Sequence, residues 1–162
     1  MSDSEMAATA PWPVDGRIAG VDYGTVRIGL AVTDPDRRLA SPWDTYERRS
    51  AAVDAAFFVR FASAERIAGF VVGLPLFPSG DESPKSLEAR RFGRWLAEAT
   101  GKPVVFFDER YSSAAADDFM AQGRLTKKRR HARRDQLAAQ VLLSAFLESG
   151  QRPTAAGESL ER

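Results

Sequence analysis

Two short segments composed almost entirely of apolar residues place the strongest constraint on the fold of this chain. Residues 67–73 read IAGFVVG, and residues 103–107 read PVVFF. Continuous apolar runs of this length are typical of strands with both faces buried, as in parallel sheets covered by helices. The chain is therefore expected to form an α/β fold around a central sheet.

The segment before these runs predicts three antiparallel strands. Residues 17–23 and 26–33 are two apolar runs joined through Gly24 and Thr25, which is the pattern of a β-hairpin. Asp-Pro-Asp at 34–36 marks a second turn, and residues 38–46 are suited to a third strand. The sheet is thus expected to begin as an antiparallel meander.

Helices are predicted between and after the later strands. Ser50 can cap one helix, and Ser83-Pro84 begins another that ends at Gly101. Two more are expected at about 113–122 and 134–148. The order βββαβαβαα gives a mixed five-stranded sheet, three antiparallel then two parallel strands, flanked by helices. The expected buried faces are Val53, Phe57, Phe61 and Ala64; Phe92, Trp95, Leu96 and Ala99; and Leu137, Ala138, Val141, Leu142, Ala145 and Phe146.

The length and the ends of the chain predict one domain with two tails. A chain of 162 residues can bury one sizeable core. The domain is expected at 17–149, with flexible tails at 1–16 and 150–162. The N-terminal segment has acids and prolines in place of the apolar stretch of a signal peptide, and no apolar run approaches the roughly 20 residues that span a bilayer. These features predict a cytoplasmic protein without membrane contact.

The composition restricts the kind of metal site that the chain can build. There is no cysteine and only one histidine, His131, so disulfides and thiolate sites are excluded and an imidazole zinc site is disfavoured. A bound metal must then rest on oxygen ligands, and Mg²⁺ and Mn²⁺ prefer such ligands.

Carboxylates occur where the predicted topology brings chain segments together. Asp22 ends the first strand, Asp108 and Glu109 end the last parallel strand, and Asp135 lies in the first turn of the final helix. Ligand sites in open α/β sheets lie at the carboxyl ends of the strands, so these acids can converge there. Because side chains alternate along a strand, only one of Asp108 and Glu109 can point into such a cluster.

A cluster of three carboxylates suits phosphodiester hydrolysis. Two divalent cations about 4 Å apart can supply a water nucleophile and neutralise the leaving oxygen. Each acid also has a structural interpretation: Asp22 can stabilise a turn, Glu109 can pair with an arginine, and Asp135 can favour a helix N-terminus. The convergence of all three favours the catalytic hypothesis.

The segment 124–134, RLTKKRRHARR, contains seven cationic side chains and no acid. Such residues can replace counterions on a nucleic-acid backbone, although charge runs are also common in solvated loops. Its position directly before Asp135 favours substrate binding. Contacts with nucleic acid are predicted for Arg27, Arg110, Lys127, Lys128, Arg129, Arg130, Arg133 and Arg134.

Four motifs resemble one known family. GVDYGTVRIGLAV at 20–32, VVGLPLFPSG at 71–80, DERYSS at 108–113 and RRDQLAAQVLL at 133–143 are similar, in this order, to motifs of the YqgF (RuvX-like) family of pre-16S rRNA nucleases. The resemblance implies an RNase H-like fold, catalytic and metal-binding roles for Asp22, Glu109 and Asp135, and trimming of the 5′ end of precursor 16S rRNA. Phe77-Pro78-Ser79 departs from the polar stretch that is usual in the family.

Other functions remain open on the sequence alone. A Holliday-junction resolvase would share the metal chemistry and would normally act as a homodimer, whereas an rRNA nuclease can be a monomer. A non-catalytic RNA-binding module could keep the fold. A nucleotide-binding domain of the actin and sugar-kinase type also has Asp-x-Gly in its first hairpin, but those proteins contain two such domains.

Overall fold

The computed structural model describes residues 11–111 and 126–151. The strands are β1 (Arg17–Asp22), β2 (Arg27–Thr33), β3 (Ala40–Glu47), β4 (Ile67–Leu74) and β5 (Val104–Asp108). The helices are α1 (Ala51–Ala64), α2 (Pro84–Thr100) and α3 (Lys127–Glu148), and a 3₁₀ turn covers Glu109–Tyr111. The helix predicted at about 113–122 lies outside the described residues. None of the helices within the described ranges has the length and apolarity needed to span a membrane.

The five strands form one mixed sheet in the order β3-β2-β1-β4-β5. β1 pairs antiparallel with β2, and β2 pairs antiparallel with β3. β4 lies parallel to both β1 and β5. The predicted arrangement of three antiparallel and two parallel strands is therefore confirmed, and the carboxyl ends of β1, β4 and β5 lie at the same edge.

Helices cover both faces of this sheet, which is why β4 is apolar throughout. On one face, Phe58 of α1 and Phe92 and Leu96 of α2 pack on the sheet. On the other face, α3 packs through Leu142, Leu143 and Phe146. Trp12 extends this second layer, edge-on to Phe146 with ring centroids 5.8 Å apart. The domain limits at residues 17 and 149 stay predictions.

The predicted inner face of α1 was partly wrong. Phe61 is buried, but Val53 is 44% exposed and Ala64 is exposed, while Asp54 and Phe58 are fully buried. The cause is a polar network around Asp54, which accepts hydrogen bonds from the Tyr46 hydroxyl at 2.7 Å and the Arg49 backbone N–H at 2.9 Å. This network places Asp54 on the buried side of the helix, and burial together with the neighbouring carboxylate raises the pKa of Tyr46 to about 12.

The predicted start of the last helix at residue 134 was also wrong. α3 begins at Lys127, so the basic segment is helical where it is described. Lysine and arginine have high helix propensity, and the Thr126 side chain caps the helix by accepting a hydrogen bond from the Arg129 N–H. Ala138, Val141 and Ala145, predicted to be buried, are half-exposed. The buried residues of α3 are instead Leu137, Ala139, Leu142, Leu143 and Phe146.

Gly29 sets the distance between α3 and the sheet. A Cβ atom at this position of β2 would clash with the backbone carbonyl of Asp135. The α3 backbone can therefore approach β2 closely only because position 29 has no side chain. This contact fixes where Asp135 enters the carboxyl-end edge.

We expect Gly29→Ala to reduce the free energy of unfolding by about 1–3 kcal/mol, because α3 must move away from a well-packed sheet. Urea denaturation followed by far-UV circular dichroism measures this change. Ser41→Ala, on the exposed edge strand β3, is the control and should alter stability by less than about 0.5 kcal/mol. Equal stability of the two variants would show that the close approach is not required.

Candidate active site

A cavity of about 450 Å³ opens at the carboxyl-end edge of the sheet. Asp22 reaches it from the end of β1, Glu109 from the first residue after β5, and Asp135 from the third turn of α3. The structure therefore brings together, around one cavity, the three acids that the sequence singled out. Their assignment as catalytic and metal-binding residues stays a prediction.

Asp22 and Glu109 are in direct contact. Their side chains lie within hydrogen-bonding reach of each other. Asp108 is turned away from the cavity and binds its neighbour Arg110, with 2.7 Å between Arg110 Nε and the Asp108 carboxylate. Glu109, and not Asp108, is thus the acid that joins Asp22.

Gly73 makes room for Glu109. A Cβ atom on Gly73 of β4 would lie 2.8 Å from Glu109 Cγ and would also overlap its carboxylate. The Glu109 side chain consequently lies across β4, which separates β5 from β1, and reaches Asp22 on the far side. The absence of a side chain at position 73 is what permits this path.

Burial dominates the electrostatics of the two acids. It raises the pKa of Asp22 well above its ordinary value of 3.8, and the negative charges of Glu109 and Asp135 raise it further. Burial likewise raises the pKa of Glu109, with a smaller contribution from Asp108. Two desolvated acids in contact form a site that is electrostatically unsatisfied without a positive partner.

Asp135 has such a partner in Arg27. The Arg27 Nε atom donates to the Asp135 carboxylate at 2.9 Å, and both residues line the cavity. Within residues 11–111 and 126–151, no three acidic or histidine side chains are arranged as a complete metal-binding group. Asp22 and Glu109 thus form a pair, and Asp135 is held beside it by an arginine.

Most of the predicted cationic residues lie on the exposed surface of α3. All described side chains from Lys127 to Arg130, and those of Arg133 and Arg134, are exposed. Lys127, Arg130 and Arg134 recur on one face of α3 by their spacing, and the charge of Arg134 acts on Asp22 to lower its pKa. These cations therefore lie on the same helix as Asp135, although none of the three lines the cavity.

Arg110 is placed differently from the other predicted contacts. Besides binding Asp108, it donates from Nη1 to the Pro78 carbonyl at 3.1 Å. It thereby holds the loop after β4 against the end of β5. Its contact with nucleic acid stays a prediction.

The sequence interpretation missed the contribution of α2. Lys85 and Glu88, three residues apart near the start of this helix, line the cavity together with Tyr23. The spacing of Lys85 and Glu88 places them on one helix face, and this spacing was the sequence feature that could have indicated a shared site. It was not sufficient, because nothing in the local sequence shows that the start of α2 faces Asp22.

The fold and the acidic cavity together define a class, the RNase H-like nucleases. Two solved structures have this fold. *Thermus thermophilus* RuvC in complex with a Holliday junction matches with a TM-score of 0.54 at 14% identity, covering 86% of this chain and 99% of that one. The fowlpox virus resolvase in complex with Holliday junction DNA matches with a TM-score of 0.53 at 12% identity, over 84% of this chain and 99% of that one. The predicted RNase H-like fold is thereby confirmed.

The chain belongs to the RuvX family. The family profile, described as a Holliday junction resolvase, matches residues 16–149. A *Rhodopirellula baltica* protein named "Putative pre-16S rRNA nuclease" is 47% identical over 99% of this chain and 94% of its own length. A *Bradyrhizobium* sp. (strain BTAi1) protein of the same name is 38% identical over 87% of this chain and 88% of its own length. These matches confirm the predicted family and enzyme class, a hydrolase of phosphodiester bonds.

We expect Gly73→Ala to reduce cleavage by about 10²-fold, the loss typical when a catalytic group is displaced by about 1 Å. The new methyl group must push the flexible Glu109 side chain away from Asp22, at little cost to folding. Gly69→Ala is the matched control on the same strand, where a Cβ atom would meet the Trp12 ring at 2.8 Å, far from the cavity. It should lower the melting temperature and leave cleavage intact. Intact cleavage in Gly73→Ala together with reduced cleavage in Gly69→Ala would contradict the placement of Glu109.

We also expect Asp22→Asn to stabilise the protein at pH 7 when divalent cations are removed. An acid with a raised pKa in the folded state stabilises the fold while it is protonated, and that contribution is lost as the pH rises from about 3.8 through the folded-state pKa. The variant removes this loss, so its melting temperature should exceed that of the wild type by about 2–4 °C for each kcal/mol recovered.

Differential scanning calorimetry between pH 4 and pH 8 measures this difference, with the exposed Asp36→Asn as the control. The difference between Asp22→Asn and the wild type should grow with pH. A variant that is less stable than the wild type at pH 7 would show that Asp22 is not an energetically strained acid.

Proposed function

We propose that this protein is a divalent-metal-dependent nuclease that processes structured RNA, with precursor 16S rRNA as its natural substrate. The observation that carries the proposal is the contact between the half-buried Asp22 and Glu109 in a cavity that Asp135 also lines. An rRNA-processing enzyme would act in the cytoplasm, and the proposal includes that location.

The donor set fits Mg²⁺ or Mn²⁺. All three acids offer hard oxygen atoms, and a divalent cation would offset the burial and the repulsion that raise the pKa of Asp22. Asp22 and Glu109 would hold the metal at the ends of β1 and β5, and Asp135 would join them as a third ligand by exchanging its ion pair with Arg27 for the cation. Bound divalent metal would supply an activated water and would neutralise charge on the leaving oxygen.

The remaining groups of the cavity can position the substrate. Lys85 and Arg27 stand on its wall and can bind phosphate oxygens beside the acids. Arg27 is also the ion-pair partner of Asp135, so it orients that carboxylate. The Asp22 and Glu109 carboxylates, once deprotonated, can accept hydrogen bonds from the attacking water.

The exposed basic surface of α3 can bind the RNA backbone at a distance from the reacting phosphate. It comprises Lys127, Lys128, Arg129, Arg130, Arg133 and Arg134. Contacts of this kind depend on counterion release and not on base identity, so affinity should fall steeply with salt. The α3 helix thus carries, in one rigid element, both the cations proposed for sequence-independent backbone binding and the acid Asp135.

Two descriptions of substrate exist among the relatives. The curated relatives that match most of this chain carry the rRNA nuclease name, whereas the family profile carries the resolvase description. We favour rRNA because the 47% identical relative is matched almost over its full length. A resolvase would need a homodimer to cut two strands symmetrically, so the oligomeric state bears on the choice.

The test is to incubate the purified full chain with precursor 16S rRNA and, separately, with a four-way DNA junction. Each reaction is run with Mn²⁺, with Mg²⁺ and with chelator, and the new RNA ends are mapped by primer extension. We expect discrete metal-dependent cleavage of the 5′ precursor segment, leaving 5′-phosphate ends, and loss of cleavage in Asp22→Asn.

Two results would contradict the proposal. Symmetric cutting of the junction by a dimer, with the rRNA left intact, would assign the chain to resolvases. Tight rRNA binding without cleavage under any metal condition would make it a non-catalytic binding module. Sedimentation velocity on the same preparation supplies the oligomeric state for either outcome.

A further inference from the structure

A second cavity of about 430 Å³ adjoins the candidate active site. The two cavities share Tyr23, Thr25 and Glu88 on their walls. Its volume lies within the roughly 300–1,000 Å³ typical of small-ligand pockets. A polynucleotide held at the acidic centre would therefore pass the mouth of this second cavity.

Aromatic rings form one side of the second cavity. Phe92 lies between Tyr23 and Trp95, with ring centroids 4.8 Å from Tyr23 and 5.5 Å from Trp95. Tyr23 and Trp95 are only half-buried, although Trp95 was expected in the core. The side chain of Trp95 packs against the core, as expected, and it also lines the cavity.

Two arginines bring positive charge to the same cavity. The Arg48 guanidinium lies 5.4 Å from the centroid of the Tyr23 ring and 5.7 Å from that of Phe92. It donates to the Tyr23 hydroxyl at 3.2 Å and to the buried Asp54 at 3.4 Å, so it is held in place. Arg91 lines the cavity from the exposed face of α2.

We propose that this cavity binds one unpaired nucleobase of the strand whose backbone lies in the candidate active site. This inference rests on the proposed nuclease function and adds a base-binding subsite to it. Aromatic faces and guanidinium planes are the surfaces on which unstacked bases pack. The substrate is accordingly single-stranded, or opened, for at least one nucleotide next to the scissile phosphate.

The cavity carries one acid as well as the two arginines, and this acid lies on the wall shared with the candidate active site. Glu88 stands between the two cavities, where its carboxylate would repel a phosphate but can accept a hydrogen bond from the amino group of a base. Arg91 at the rim can bind the backbone of the same nucleotide. In this arrangement Glu88 would contact the base, and Arg91 would contact the backbone of the same nucleotide.

Fluorine NMR of the protein labelled with 5-fluorotryptophan tests this directly, because the chain has three tryptophans. Trp12 packs against Phe146 on the opposite face of the sheet, and Trp43 packs against Phe61. Neither lines the second cavity, so both serve as internal references. Trp95→Phe assigns the third resonance.

The wild-type protein is titrated with a single-stranded oligoribonucleotide of about ten nucleotides. A metal chelator is present throughout to prevent cleavage. Fluorescence anisotropy of the labelled strand confirms that it is bound. We expect the Trp95 resonance to shift while the Trp12 and Trp43 resonances stay in place. A fully paired duplex of the same sequence should leave the Trp95 resonance where it is, because its bases are already stacked.

Arg91→Ala and Arg94→Ala form a matched pair on the exposed face of α2. Only Arg91 lines the cavity, so Arg91→Ala should weaken single-strand affinity by about threefold, a change typical of one exposed charge pair, and reduce the Trp95 shift at a given concentration. Arg94→Ala should match the wild type in both. Equal effects of the two substitutions would indicate a general loss of positive charge and would overturn the subsite.

The remaining outcomes separate the subsite from the nuclease function. A bound single strand that leaves Trp95 unmoved, in a protein that still cleaves rRNA with Mn²⁺, would overturn the subsite and leave the function standing. A Trp95 shift without any cleavage would support the subsite while the nuclease proposal fails. A shift of the same size with inorganic phosphate alone would identify an anion site and contradict base binding.

Discussion

The contact between the half-buried carboxyl groups of Asp22 and Glu109 is the interaction on which the rest of this structure depends. Burial raises the pKa values of both groups, and the charge of Glu109 raises that of Asp22 further, so ionising the pair costs stability in the absence of a cation. A fold retains such a pair only when the surrounding packing holds it in place. Here the core of the sheet and the three helices do so, because β1 and β5 end at the same edge and β4 between them lacks a side chain at Gly73.

The α3 helix connects this acidic pair with the means of binding a polyanion. Its apolar side contacts the sheet, its backbone approaches β2 over Gly29, and its Asp135 reaches the cavity. Its first two turns carry the exposed cations. Arg27 closes the arrangement by pairing with Asp135, 108 positions away in the sequence. In the proposed function, one rigid element would therefore fix the distance between the backbone contacts and the reacting phosphate, and the aromatic cavity, which α1 and α2 line, would add a place for a base.

Much of this architecture could be predicted from the sequence because its signals are local. The apolar runs gave β4 and β5, and the acids that follow strands marked the edge where the site lies. The start of α3 was not predictable by the same reasoning, since a run of cations resembles a solvated loop until the Thr126 cap is recognised. The buried face of α1 depended on Asp54 finding Tyr46 and Arg49, and the ion pair of Arg27 depended on tertiary packing. Long-range polar contacts of this kind leave no periodic pattern in a sequence.

Isothermal titration of the metal-free protein with Mn²⁺ tests the central claim most directly. We predict saturable binding in the wild type, accompanied by proton release that grows as the pH is lowered, because the raised pKa of Asp22 favours its protonated form before the metal binds. Glu109→Gln should abolish the tight phase, and Asp135→Asn should weaken it. Binding of equal affinity in the wild type and Glu109→Gln, without proton release, would show that the Asp22–Glu109 pair is not the site that holds the metal.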